Sequence, residues 1–316
     1  MSGSTPELEV LGRRIQVEAY AVFVTMADPI SRTTVRFPVR NEKGIVSAMK
    51  RVSEIIRDLD EELMRNPILF SKRKKGAAPG QVALVKDGNR MFVEIVMCPK
   101  ALVNYVERAK SKVYDWLRAN AVVVRARPEN LYLVPPSRLT AFKDVVESSK
   151  KLLAQANAIL EKFWRPTLER IARELEQHCD VSKLPNPPKL DDVRIVMTKV
   201  SISAMLSDMV QHPELKPFVK ESIRGLLQSL VESLFEQAMQ LVAKSKTASA
   251  AAQSLRLLAS RASSIGLDIV AQELTAVANL IEKSQVTPGT ALEELLRKRS
   301  EQCLRSITAA IDSLPI

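Results

Sequence analysis

The chain has few of the residues on which most catalytic and metal sites depend. It contains two histidines, three cysteines and nine glycines among 316 residues. Zinc needs three or four converging ligands, yet His178 and Cys179 form an isolated pair, and no CxxC or HxxxH spacing occurs. The glycines form neither a GxxxxGK[ST] nor a GxGxxG phosphate loop. These absences predict a protein that is not an enzyme and uses no metal or cofactor.

Long apolar runs and a disulfide pattern are lacking as well. The longest apolar stretch, residues 19–27, is about half the length that a membrane span requires. Three widely separated cysteines do not make a disulfide framework, and residues 1–9 lack the apolar segment of a secretory signal. We therefore expect a cytoplasmic protein without a membrane partner. Abundant arginine with few asparagines and glycines is also typical of a thermophile.

Positive charge, by contrast, is concentrated in one region. Residues 65–127 carry fourteen basic and four acidic residues, a net charge of +10 out of +11 for the whole chain. A localised positive field indicates a polyanionic partner, most simply DNA or RNA. The predicted contact residues lie on a loop, a hairpin and a strand: Lys72, Arg73, Lys74, Lys75, Lys86, Arg90, Arg125 and Arg127. The alternative is a cation-rich surface that only keeps the protein in solution.

Aromatic side chains on which bases could stack are scarce. The candidates are Phe92, Tyr114, Trp116 and Tyr132. This scarcity favours contact with the phosphate backbone without strong sequence readout.

The first 135 residues read as a basic α+β domain. Hydrophobic spacing and turn residues predict strands and helices in this order: strands 13–27 and 33–39, helix 45–64, hairpin 82–96, helix 100–118, and a second hairpin of strands 122–127 and 131–134. From residue 33 onward this is the β-α-β-β-α-β order of ferredoxin-like folds. RNA-recognition modules share that order, but only Phe92 and Val93 fit their third-strand pattern, so that module is not assigned.

A long helix is predicted over residues 137–180, with Pro166 kinking or splitting it. One face carries large apolar side chains at near-heptad spacing, as in a coiled coil: Leu139, Phe142, Val146, Leu153, Leu160 and Phe163. This stripe must be covered by helix 100–118, by the C-terminal helices or by a second copy. Because helix 100–118 is too short to cover all of it, we expect a homo-oligomer with the stripe as its seam.

The remainder reads as a linker followed by a helical bundle. Residues 181–192 contain three prolines and are predicted to link two domains. Residues 193–316 are predicted to form one strand and then a mainly helical bundle, with helices at 214–244, 248–265, 267–283 and 290–313. The expected fold is α+β and predominantly helical.

Several short motifs resemble a known family. The segments Cys98-Pro99-Lys100-Ala101-Leu102 and Leu131-Tyr132-Leu133-Val134-Pro135, each followed by a long helix, resemble an uncharacterised, mostly helical family of phages, plasmids and integrated elements. The likeness covers about residues 85–180, and the family tends to have Asp where this chain has Cys98. Its genes are sometimes found near MoxR-type ATPases. The resemblance and the apolar stripe support the alternative function of a helical adaptor for a protein partner such as an AAA+ ATPase, or of a mobile-element structural protein.

Overall fold

The computed structural model shows a predominantly helical α+β protein, which confirms the predicted fold class. Helices hold 67% of the residues that it describes, and strands hold 18%. The described residues are 8–10, 12–26, 33–64, 82–97, 100–125, 130–190, 193–284 and 290–314. None of the helices in these ranges combines the length and the hydropathy that a membrane span requires.

The strands and helices of these ranges follow the chain in an order close to the predicted one. The strands are β1 (Glu9–Val10), β2 (Arg13–Arg14), β3 (Glu18–Met26), β4 (Thr34–Pro38), β5 (Val82–Asp87), β6 (Arg90–Val96), β7 (Val122–Arg125), β8 (Asn130–Val134) and β9 (Val193–Ser201). The α-helices are α1 (Ile45–Met64), α2 (Lys100–Asn120), α3 (Leu139–Leu175), α4 (Ile202–Gln211), α5 (Lys216–Lys244), α6 (Ala248–Ser264), α7 (Asp268–Ser284) and α8 (Thr290–Asp312).

The chain folds into two compact units, each built from separated stretches. The bundle unit consists of residues 1–23, 116–142 and 195–316, and the hairpin unit consists of residues 24–115 and 143–194. The predicted consecutive domains, with boundaries near residues 135 and 193, are therefore wrong. The first strands pack with the C-terminal helices, because Val17 and Ala19 share one apolar core with Leu230 and Leu234. Apolar alternation marks a buried face without identifying the segment that covers it.

The hairpin unit contains a three-stranded antiparallel sheet in the order β4-β6-β5. Val35 lies opposite Ile95 and Phe37 lies opposite Val93, and all four side chains are buried. Since side chains alternate along a strand, the residues between them point to the other face. The sheet therefore has one face in the core and one face towards solvent.

The predicted ferredoxin-like order is not formed. It would place strand 122–127 in the same sheet as strands 33–39 and 82–96. Instead, β7 pairs antiparallel with β8, in a separate sheet with the order β7-β8-β3-β9. This pairing confirms the predicted second hairpin. β8 begins only five positions after the end of β7, and closing a short loop costs less chain entropy than closing a long one.

Helices α1, α2 and α3 cover the inner face of the hairpin unit's sheet. Val52, Ile56, Leu102 and Leu160 share one apolar core with the buried strand residues. Helix α3 runs unbroken for 37 residues with Pro166 inside it, so the predicted split does not occur. Pro166 itself is exposed.

Residues 181–190 do not behave as a linker between domains. The indole nitrogen Nε1 of Trp164 donates to the carbonyl of Pro185 at 2.8 Å. The backbone N–H of Leu190 donates to Oδ1 of Asn157 at 2.8 Å, and the Leu190 side chain is buried. The prolines prevent regular structure, but the segment packs along α3 and belongs to the hairpin unit. Residues 191–192 lie outside the described ranges.

The bundle unit has helices at the predicted positions, with bounds that differ by a few residues. Helices α5 to α8 bury leucines, isoleucines and small alanines in one apolar core. In α6, Ala251, Ala252 and Ala259 are buried, and small side chains of this kind let neighbouring helices approach closely. The side-chain amide of Gln237 donates to the carbonyl of Val123 at 2.8 Å, which joins α5 to β7.

Gly266 ends α6 in the way that its position in the sequence predicts. Its φ is +81°, and it donates to the carbonyl of Ser263 while Leu267 donates to Ala262, both at 2.9 Å. These two bonds form a Schellman motif, in which a left-handed residue satisfies the last carbonyls of a helix. A side chain at this position would also collide with the backbone carbonyl of Gln16.

Two glycine substitutions in the bundle unit are expected to have opposite effects. Gly266→Ala should lower the free energy of unfolding by more than about 1 kcal/mol, because the new methyl group meets backbone and φ is positive. Gly225→Ala, inside α5 with open space around it, should raise it by about 0.5–1 kcal/mol. Urea unfolding followed by circular dichroism measures both, and equal effects of the two variants would contradict the geometry.

Candidate nucleic-acid interface

Most of the localised positive charge lies outside the described residues. Residues 65–81, which carry five basic residues and no acidic one, are not described, nor is Arg127. The predicted contact residues Lys72, Arg73, Lys74 and Lys75 are therefore outside the described ranges. Arg125 is the last residue of β7, and its backbone lies opposite Asn130. The side chain of Arg125 is not among those that the structure describes.

The hairpin β5–β6 carries the two predicted contact residues whose side chains are described. Lys86 lies opposite Met91, and Asp87 lies opposite Arg90. Gly88 completes the turn with a φ of +59°, as the sequence predicts. Residues directly opposite each other in an antiparallel pair share a face. Lys86 and Arg90 therefore project from opposite faces of the sheet, and the structure does not bring them to one surface.

Arg90 belongs to the solvent-facing side of the three-stranded sheet, which we call the outer sheet face. None of its ten side chains is buried. By the strand register they are Thr34, Arg36, Pro38, Ala83, Val85, Asp87, Arg90, Phe92, Glu94 and Val96. Lys86 lies at the exposed end of the inner face instead.

The outer sheet face is electrically balanced. Nε of Arg36 donates to Oε2 of Glu94 at 2.8 Å, and a guanidinium nitrogen of Arg36 lies 3.7 Å from Oδ2 of Asp87. With Arg90, the face carries two basic and two acidic side chains. Half of the net +10 of residues 65–127 belongs instead to residues 65–81, which carry five basic residues and no acidic one. Arg36 lies outside the basic region, so its place on this face could be recognised only from the strand register.

Helix α2 carries further cations of the basic region, interleaved with acids. Lys110 lies 3.5 Å from Glu107, and Nζ of Lys112 donates to Oγ of Ser148 on α3 at 2.5 Å. Arg108 and Asp115 are also exposed on this helix. Over residues 100–115, α2 adds only a moderate positive charge to the hairpin unit.

The four aromatic residues named as stacking candidates have different surroundings. The hydroxyl of Tyr114 donates to the carbonyl of Val24 at 2.9 Å, and Tyr132 is 3% exposed. The ring of Trp116 lies 5.3 Å from that of Phe142. Phe92 differs from these three because it lies on the outer sheet face.

The apolar stripe of α3 is covered by the chain itself. Leu153 and Leu160 are at most 1% exposed and Phe163 is 7% exposed, and all three belong to the hairpin unit's core. Phe142 and Val146 are also buried, whereas Leu139 is partly exposed. The prediction that this stripe is the seam between two copies is therefore wrong.

Helices α1 and α2 both lie beside α3, which explains how the stripe is covered. Nε of Arg51 on α1 donates to Oε2 of Glu174 at 2.5 Å, and Oγ of Ser149 donates to the carbonyl of Ala109 on α2 at 3.0 Å. Helix α2 alone is too short for the whole stripe, as expected from the sequence. Helix α1 and the inner face of the sheet cover the rest.

Other candidate groups offer little chemistry. Burial raises the pKa of the Cys179 thiol to about 11 and that of Cys303 to about 12, so both are protonated at neutral pH. Among the described residues, no three His, Cys, Asp or Glu side chains are grouped as metal ligands. A cleft of about 440 Å³ in the bundle unit is lined by Arg224 and Asp312, whose charges compensate each other at 2.5 Å.

Shortening a side chain of the stripe should lower the free energy of unfolding by an amount that does not depend on protein concentration. Leu160→Ala is expected to lower the free energy of unfolding by about 2–5 kcal/mol. Val46→Ala, at a site that is 60% exposed, is the control and should change it by less than about 0.5 kcal/mol. Urea unfolding at several protein concentrations measures both. A loss that grows on dilution would show that a second copy covers the stripe.

Comparisons with known proteins returned no match: no family model fits the chain, and neither a curated protein nor a solved structure is significantly similar to it. The likeness of residues 85–180 to a family of phages and plasmids stays a prediction.

Proposed function

We propose that this protein binds nucleic acid without catalysing a reaction, through contact between its basic region and the phosphate backbone. The observation that carries the proposal is the charge distribution: residues 65–127 hold +10 of the chain's +11. A general need for solubility would spread cations over the whole surface. Concentration in one fifth of the chain favours a polyanionic partner.

The segment 65–81 contributes most to this argument. Its four consecutive cations, Lys72 to Lys75, directly precede β5 in sequence. Each lysine or arginine that neutralises a phosphate releases condensed counterions, and this release is the main sequence-independent source of affinity. The balanced outer sheet face offers few charged groups for reading base edges. We therefore expect tight binding at low salt with weak sequence preference.

The alternative function, a helical adaptor for a protein partner, rested on apolar helix faces that lacked a partner. Leu153, Leu160 and Phe163 of the stripe on α3 are buried in the hairpin unit's core, and Phe142 and Val146 are buried as well. The leucines of α5 at positions 227, 230 and 234 are buried in the bundle unit. Because neither set is left uncovered, the charge distribution favours nucleic-acid binding over the adaptor. A homo-oligomer that binds nucleic acid stays part of the proposal, through a surface other than the stripe.

Removing the four-cation run should weaken binding to all sequences alike. The variant carries Lys72→Ala, Arg73→Ala, Lys74→Ala and Lys75→Ala. We expect at least a roughly tenfold lower affinity for mixed-sequence DNA and RNA at about 50 mM salt. The slope of log K against log salt should become shallower by about 3, because up to four phosphate contacts are lost. Gel-shift titrations over a salt series measure both quantities.

A matched control removes the same charge elsewhere in the hairpin unit. Lys143, Lys151, Lys162 and Lys183 are exposed and lie on α3 or just beyond it, and all four are changed to alanine. This variant should keep most of the affinity and most of the salt dependence. Equal losses in the two variants would indicate attraction by net charge alone. Absence of binding by the unmodified protein at about 50 mM salt would refute the proposed function.

A further inference from the structure

Strand β9 forms one edge of the four-stranded sheet β7-β8-β3-β9, where it pairs with β3 on one side. Among the residues that the structure describes, no strand pairs with its other side. An edge of this kind presents a row of backbone N–H and C=O groups that a further strand can bind. With nine residues, Val193–Ser201, β9 is also longer than a typical strand of about five or six.

Both faces of β9 are open to solvent around its centre. Of residues 194–199, all are exposed except Ile195, which is partly exposed. Val196 is 59% exposed and Met197 is 41% exposed, and neighbouring side chains of a strand point to opposite faces. A partner that packed on one face would leave the apolar side chain of the other face in water. A strand that pairs with the edge lies beside both.

The centre of β9 lacks the features that keep strand edges apart. The strand contains no proline or glycine, and its two cations, Arg194 and Lys199, flank an uncharged centre at residues 195–198. Most of its residues are Val, Ile or Thr, which favour strands. The other edge of the same sheet is protected. There β7 has only four residues, and the carbonyl of Val123 accepts from the side-chain amide of Gln237.

The sequence of β9 is complementary to a second copy of itself. Antiparallel pairing over all nine residues places a two-fold axis at the central residue, Met197. The opposing pairs are then Met197 with its own counterpart, Val196 with Thr198, Ile195 with Lys199 and Arg194 with Val200. Directly opposed side chains share a face and contact each other. Each cation therefore meets an aliphatic side chain, and no two like charges are opposed.

We propose that a second copy of this chain pairs with β9 edge to edge, so that two antiparallel β9 strands meet at an axis through Met197. The two four-stranded sheets then form one sheet of eight strands. Backbone hydrogen bonds supply the attraction, as in other cases of strand addition. One strand pair makes a small interface, so the dimer should dissociate in the micromolar range. The pairing gives the oligomer of the proposed function a surface, and it requires no nucleic acid.

Charge substitutions at the axis test the pairing and its register together. Sedimentation velocity of the protein alone should show a dimer at tens of micromolar that dissociates on dilution. Met197→Lys and Met197→Glu each bring two like charges together at the axis, so each should weaken dimerisation at least about tenfold. An equimolar mixture of the two variants should restore the dimer, because opposite charges then meet at the axis.

Leu257→Lys and Leu257→Glu are the matched controls, since Leu257 on α6 is 57% exposed. Both should sediment as the unmodified protein does. A second measurement does not depend on a loss of dimer. Met197→Cys should form a disulfide between two copies under mild oxidation, because residue 197 lies opposite its counterpart. Val196→Cys lies diagonal to its counterpart, at a distance too long for a disulfide, and should cross-link no more than the unmodified protein.

The outcomes separate this inference from the proposed function. An unmodified protein that stays monomeric at tens of micromolar refutes the pairing, and so do Met197 variants that remain dimers. If both variants keep their helix content by circular dichroism but their mixture stays monomeric, the axis at Met197 is refuted. None of these results bears on nucleic-acid binding, which the gel-shift series with the Lys72–Lys75 variant tests separately. A dimer that binds no nucleic acid would refute the proposed function and support the pairing.

Discussion

Covering the apolar stripe of α3 is the constraint on which the hairpin unit depends. A helix of 37 residues with large apolar side chains along one face cannot be stable in water unless that face is buried. Helices α1 and α2 and the inner sheet face supply the cover, and residues 181–190 pack beside it. Burial against these helices determines which face of the sheet is the inner one. The alternate side chains of the same strands therefore face solvent. The position of Phe92 on the outer sheet face is a consequence of this arrangement.

Local features of the fold were predictable because they depend on neighbouring residues. Helix α6 was predicted within one residue of its observed end, since a helical period precedes Gly266 and this glycine can adopt a positive φ. The hairpin β5–β6 was predicted from Gly88 and the apolar strands around it. Partners distant in sequence were not predictable. β3 pairs with β8 and the stripe of α3 shares a core with α1, and neither contact was predicted.

The candidate site shows the same contrast. The positive charge of residues 65–127 is a property of composition, so it could be read directly. Which face each side chain occupies depends on strand register, and a shift by one residue exchanges the two faces. Lys86 and Arg90 were therefore grouped although they project from opposite faces. Arg36 was missed because it lies far from the basic region in sequence and reaches Glu94 only through the pairing of β4 with β6.

The separated stretches of each unit have a consequence for synthesis on the ribosome. The bundle unit combines residues 1–23 with residues 195–316, so its first strands emerge long before the helices that bury Val17 and Ala19. These strands stay partly exposed until residues 195–316 have been translated. The hairpin unit consists of residues 24–115 and 143–194, so it can form once residue 194 has left the ribosome. Folding order is thus set by chain connectivity, and the N-terminal strands are the part most dependent on protection from aggregation.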